Sequence, residues 1–168
     1  IVIAEGVTSW RIVQAINEIS YLTGEINEIP QEGSLAPDSY EFGQKDSRST
    51  ILKQMSVKQD SILQRAWQSK LDDLPFKTPE EALILASIIE KETGLKSERR
   101  IISSVFINRL KKGMPLQTDP TVIYGITKGR EILGRGLRQS ELRKDTPWNT
   151  YIRGGLPPTP IANPGEDS

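Results

Sequence analysis

Two glutamates, Glu90 and Glu92, close a strongly apolar run, Leu85-Ala86-Ser87-Ile88-Ile89-Glu90-Lys91-Glu92-Thr93. A carboxylate on the apolar face of a helix is a candidate general acid, because burial penalises its charged form. At about 100° per residue, Leu85, Ile88, Ile89 and Glu92 follow the i, i+3, i+4, i+7 spacing, so Glu92 is predicted to continue the aliphatic stripe. Glu90 lies about 160° further round, towards a polar strip of Glu80, Ser87 and Lys91. Glu92 also falls in the last helical turn, where the dipole opposes negative charge, so dipole and burial together would favour its protonated form. The competing reading is a partly exposed glutamate paired with one of several nearby Lys and Arg side chains. For Glu90 the adjacent Lys91 diverges on the helix, which leaves Arg99 or Arg109 as the expected partner.

The helix that must carry these carboxylates is well signalled. Thr78-Pro79-Glu80-Glu81 reads as an N-cap, a proline at the first helical position and a capping-box glutamate. Gly94 falls where a left-handed C-terminal cap is expected, and Lys96-Ser97-Glu98-Arg99-Arg100 opens a second helix through Ile101, Val105, Ile107 and Leu110 towards Gly113.

Two more constellations suit a sugar site. These are Leu116-Gln117-Thr118-Asp119-Pro120-Thr121-Val122-Ile123-Tyr124 and Asn149-Thr150-Tyr151, the latter followed by Gly154-Gly155-Leu156-Pro157-Pro158. Saccharides are held by amides and carboxylates that bridge hydroxyls and by aromatic faces against the C–H side of the ring. Gln117, Asp119, Asn149, Tyr124, Trp148 and Tyr151 supply that inventory. On spacing alone, Thr118 and Asp119 read more readily as a turn cap before Pro120, and Trp148 and Tyr151 as core packing, than as a sugar site.

Composition narrows the chemistry. The 168 residues include no histidine and no cysteine. Ser-His-Asp and Cys-His triads, imidazole zinc sites, thiolate sites and disulfides are therefore excluded, and no metal or cofactor is expected. Lys plus Arg equal Asp plus Glu at 22 each, with no basic run interleaved with aromatics, so nucleic acid is a poor partner. The longest apolar stretch, Ala82 to Ile89, is far below the ~18 to 20 residues of a membrane span. The chain opens on Ile1 without methionine and reads as a soluble piece of something longer, from which an anchor could have been left out.

The length fits a single domain over 1–168, with 1–45 as a strand, helix and loop lead-in and 46–168 as a helical core with groove loops. Ile1 to Ala4 is predicted as a short strand. Thr8 caps a helix through Ile12, Val13, Ile16 and Ile19, and residues 22–44 are expected to hold loops with one or two short strands. Ser47-Arg48-Ser49-Thr50 precedes a helix through Ile51, Met55, Ile62, Leu63 and Trp67 that could break near Val57-Lys58. A brief helix is expected at Glu141-Leu142-Arg143, and the Gly/Pro tail from Gly154 must run as a stiff extended loop. The predicted fold class is α+β: mostly helical, with a few short strands and long Pro/Gly-rich loops.

The Glu-Lys-Glu-Thr segment, Ser97-Glu98-Arg99, Ser104-Val105-Phe106-Ile107-Asn108-Arg109-Leu110, the Leu116 to Gly125 segment and Asn149-Thr150-Tyr151 together resemble the YceG-like family. The resemblance extends through Ala4-Glu5-Gly6-Val7-Thr8 and Glu32-Gly33-Ser34-Leu35-Ala36-Pro37-Asp38-Ser39-Tyr40, and so spans essentially the whole chain. It implies endolytic cleavage of the β-1,4 bond from N-acetylmuramic acid to N-acetylglucosamine in peptidoglycan, leaving a 1,6-anhydro-muramyl end. The acid/base it implies matches Glu92, with Glu90 as fallback. It also implies that Gln117, Thr118, Asp119, Tyr124, Asn149 and Tyr151 line the glycan groove, with Arg109 in support. Implied as well are glycan strands and peptidoglycan synthases as partners, and a place at the periplasmic face of the bacterial inner membrane through an N-terminal anchor.

Two other readings compete. In a muramidase-type hydrolase Asp119 would be the second carboxylate. A non-catalytic glycan-binding or scaffold module would bind strands without cleaving them.

Overall fold

The computed structural model describes residues 1–168 and contains six helices: α1 (Ser9–Asn17), α2 (Arg48–Gln68), α3 (Pro79–Glu92), α4 (Lys96–Lys111), α5 (Asp119–Thr127) and α6 (Gln139–Leu142). The cap signals act locally. Ser47 Oγ accepts from Thr50 N–H and Thr78 Oγ1 accepts from Glu81 N–H, so α2 and α3 begin where serine and threonine side chains satisfy free backbone donors. Helix α2 runs unbroken through Val57-Lys58. Gly94 does not end α3 in a left-handed turn. Thr93 turns extended instead, its hydroxyl accepting from Leu95 N–H at 3.0 Å and donating to Glu98 at 2.6 Å.

The expected α+β class is not what forms. Helices hold 43% of the chain, strand 2%, and there is no sheet. The pairing at each end of the lead-in is a single bridge, Val2 with Ser39 antiparallel and Thr23 with Ser47 parallel. The first is closed by Ile3 N–H to Asp38 O and Tyr40 N–H to Ile1 O, both short of a ladder. The ladder goes no further because Ala36 N–H donates to Met55 O instead, and Gly6, at φ +75°, turns the other segment away to donate to Asn163 O. The Thr23 bridge is cut in the same manner by Gly24 at φ +76°.

Two hydrophobic clusters form. The first gathers Ile3, Ile12, Ile16, Leu22, Leu35, Tyr40, Ile51 and Met55, so the lead-in packs on the first turns of α2. The second gathers Ile84, Leu85, Ile88 and Ile89 of α3 with Phe106 of α4, Leu116 and Ile161. Helix α3 is central, touching α2, α4 and α5. The Gly/Pro tail is the strap between the clusters. Ser87, fully buried, accepts from Ile161 N–H at 3.0 Å, and Asn163, also fully buried, gives its amide N–H groups to Val7 O and Ser9 Oγ while accepting from Leu35 N–H. Backbone bonds Gly6 N–H to Asn163 O (2.9 Å) and Asn163 N–H to Val7 O (3.1 Å) complete the tie.

Candidate active site

Centrality of α3 reverses the expected environments of its two glutamates. Because partners cover it on several sides, the middle of the predicted polar strip is interior, with Ser87 0% exposed and the Glu90 side chain 6%, while Glu80 and Lys91 stay exposed. Glu90 is fully committed. It accepts from Arg99 Nη2 (3.0 and 3.1 Å), Gly165 N–H (3.0 Å) and Ser168 Oγ (2.5 Å), so the partner is Arg99 rather than Arg109. Glu92, by contrast, emerges beyond the packed neighbours in the final turn and is exposed, so the apolar surroundings expected for it are not there. Its aliphatic predecessors on the stripe are buried by α4 and the tail, but the stripe outruns the core by one turn.

What meets Glu92 is a hydroxyl. Thr118 Oγ1 donates to Glu92 Oε2 across 2.6 Å. Thr118 occupies the N-cap of α5 but makes no capping bond with its side chain. On one side of it Gln117 adopts φ +54°, a left-handed conformation uncommon outside glycine, and accepts at 3.3 Å from Arg109, whose Nη1 also donates to Pro115 O. On the other side Asp119 accepts from the Tyr151 hydroxyl at 2.6 Å. That bond, ahead of partial burial, pushes the Tyr151 phenol up to about 12, so Tyr151 remains a donor at neutral pH. Glu92, Gln117, Thr118, Asp119, Tyr151 and Arg109 are thus brought together around the end of α3.

Asn149 and Tyr124 stand elsewhere. Asn149 is fully buried, with Nδ2 donating to Leu142 O and Lys144 O and Oδ1 accepting from Tyr151 N–H, so its amide shapes the loop that presents Tyr151. Tyr124 packs edge-on to Trp148 at 5.6 Å between centroids and lines a cleft with Arg11, Lys91, Gly129 and Arg135. Burial, then the neighbouring Glu32 carboxylate, pushes its phenol above the ordinary range. Trp148 donates Nε1–H to Thr159 and carries Lys128 Nζ over its ring at 3.4 Å.

Sequence reasoning passed over two features. Thr121 and Thr150, inside the quoted motifs, are buried hydroxyls bonded to one another, and no spacing rule marks a threonine for that. Glu32 accepts from Ser9 N–H at the start of α1, an N-terminal cap supplied from a distant segment. Burial raises its pKa against the lowering effect of that bond. No group of three or more Asp and Glu side chains converges as a metal site would require.

This chain matches the YceG-like family along residues 1–168. It belongs to the YceG-like family. Among YceG-like relatives, it is 41% identical over 140 residues to a Bacillus subtilis endolytic murein transglycosylase, covering 83% of this chain and 37% of the relative. An endolytic murein transglycosylase of Streptococcus pneumoniae is 31% identical over 143 residues, covering 82% and 25% respectively. A crystal structure of a yceG-like protein from Listeria monocytogenes superposes with a TM-score of 0.74 at 28% identity, covering 99% of this chain and 62% of that one. The chain therefore spans about a quarter to two fifths of the length of these curated relatives.

Proposed function

We propose that this YceG-like chain carries the catalytic part of an endolytic peptidoglycan lytic transglycosylase, with Glu92 as its single acid/base. The observation that carries the reading is the exposed Glu92 carboxylate held by Thr118 at 2.6 Å, in a strip where Gln117, Asp119 and Tyr151 offer amide, carboxylate and phenol groups to a saccharide. The relatives from Bacillus subtilis and Streptococcus pneumoniae, both endolytic murein transglycosylases, support it.

Protonated Glu92 gives its proton to the glycosidic oxygen as the bond from muramyl C1 breaks, and the aminosugar leaves as an alcohol. The muramyl C6 hydroxyl then closes on C1, and its proton passes to the Glu92 carboxylate, which restores the acid and consumes no water. The Thr118 hydroxyl suits both halves, because it can donate to a carboxylate or accept from a carboxylic acid. One carboxylate is enough when the substrate supplies the nucleophile, whereas hydrolysis ordinarily needs two. On this reading the partners are glycan strands and the site of action is outside the cytoplasm; no helix of the chain is long and apolar enough to cross a membrane.

Mass spectrometry of products from purified glycan strands, using the full-length protein, tests the reading. Anhydro ends that vanish in Glu92→Gln support it. Products carrying an added water would shift the assignment to a muramidase with Asp119 as second carboxylate. Binding without cleavage would leave a glycan-binding module.

A further inference from the structure

We propose that Thr150 and Thr121 are positioning residues for the Glu92 acid/base, acting through Thr118. The inference rests on the transglycosylase reading of Glu92. At an N-cap, a threonine hydroxyl ordinarily accepts from a backbone N–H in the first turn of its own helix. Thr118 forgoes that bond and turns its hydroxyl to Glu92. Something else must fix its backbone, and the two buried threonines do so, one at its N–H and the other at its carbonyl.

Thr150 Oγ1 accepts from Thr118 N–H at 3.1 Å, and Thr121 Oγ1 donates to Thr118 O at 2.7 Å. The two hydroxyls lie 2.8 Å apart. Each has one proton. Thr121 spends its own on Thr118 O, so the proton between the pair belongs to Thr150, and the ring closes with every group satisfied. The three residues are 3%, 0% and 2% exposed for Thr118, Thr121 and Thr150, so the ring is shielded from bulk water. Thr150 O also accepts from Gln117 N–H at 3.1 Å, which helps hold the left-handed conformation just before Thr118. Residue 150 therefore grips the acid/base partner through both its backbone and its side chain, while residue 149 is buried and residue 151 faces the strip.

The ring predicts a split that mere packing does not. Thr150→Val keeps the shape and removes the hydroxyl; Thr150→Ser keeps the hydroxyl and removes a methyl group. In the full-length protein on glycan strands, Thr150→Val should lower kcat by roughly tenfold to a hundredfold, as expected when a reacting group is displaced by about 1 Å. KM should stay within about twofold, because Thr150 does not touch substrate. Thr150→Ser should keep most of the parental kcat. Thr121→Val, which removes the other half of the pair, should repeat the split and serves if Thr150→Val does not fold. A crystal structure of the valine variant should show Thr118 Oγ1 drawn away from Glu92. Parental kcat per folded molecule in both valine variants, equal losses in Val and Ser, or an unmoved Thr118 overturns the proposal. Cleavage by Glu92→Gln at the parental rate would instead overturn the functional reading, and the crystallographic position of Thr118 would still judge the ring.

Discussion

Arg99 closes on Glu90 inside the protein, one guanidinium nitrogen lying 3.0 and 3.1 Å from its two carboxylate oxygens and 2.9 Å from Glu5. The pair ties α3 to the first turn of α4 with both side chains 5–6% exposed. Nε and Nη1 of Arg99 have no partner, so the guanidinium depends heavily on the remaining nitrogen. Removing one member of a buried pair strands the other, so Glu90→Gln is expected to cost about 3–5 kcal/mol in urea unfolding. Glu92→Gln, exposed, should leave the unfolding midpoint nearly unchanged. Equal stability losses in the two variants would contradict this division of roles.

The Tyr151 phenol offers a direct spectroscopic reading of the strip beside Glu92. Its pKa stands at about 12 chiefly because it donates to Asp119. In Asp119→Asn the carboxylate acceptor is gone, and the phenolate absorbance titration should fall towards the ordinary tyrosine value of about 10. A midpoint that stays near that of the parent would make burial the cause.

Glu32 gives a pH dependence of definite sign. Its folded pKa is raised, first by burial, so the folded state holds its proton more tightly than the unfolded chain. Stability from this group is complete below the ordinary carboxylate range and is lost as pH rises through the raised folded value. Relative to Glu32→Gln, the parent should therefore lose stability as pH rises above the ordinary carboxylate range of about 4 in urea melts. Glu141 runs the other way. Held down to about 2, first by Arg135, it contributes stability above the ordinary range that disappears as pH falls towards that value. A difference between parent and Glu32→Gln that grows with pH in the parent's favour would refute the assignment.

Asn149 separates scaffold from groove. Asn149→Ala leaves the Leu142 and Lys144 carbonyls without their donor, and each buried polar group left unpaired costs about 1–3 kcal/mol. The variant should lower the thermal midpoint clearly and disturb Tyr151, whose N–H loses its acceptor. A variant as stable as the parent that binds glycan strands weakly would place the amide in the groove after all.

The helices were legible because their signals are local: Ser47, Thr78 and Pro79 mark starts, and the apolar run of α3 marks a buried helix whatever packs on it. The strands were over-read because Ile1 to Ala4 has strand composition, while pairing depends on a remote segment whose next donor, Ala36 N–H, is taken by Met55 O of α2. The split between Glu90 and Glu92 was legible as a difference but not in direction. A helical wheel shows faces, and it does not show that three neighbours cover α3 and stop one turn short of its end. Gln117, Asp119 and Tyr151 were grouped by residue type and Thr118 through the family resemblance, and the structure gathers them. Asn149 and Tyr124 share the motifs but not the strip, since backbone carbonyls and Trp148 claim their side chains first.

The tie between Asn163 and Val7 bridges 156 positions. Contacts so remote in sequence form late, because their loop-closure entropy must be met before they stabilise anything. During synthesis, which adds about 5–20 residues per second, α1 leaves the ribosome well before its strap. Until residue 163 emerges, the backbone carbonyl of Val7 and the N–H of Leu35 lack their Asn163 partners. The order of translation thus keeps the lead-in unfinished until the helix bearing Glu92 has already been made.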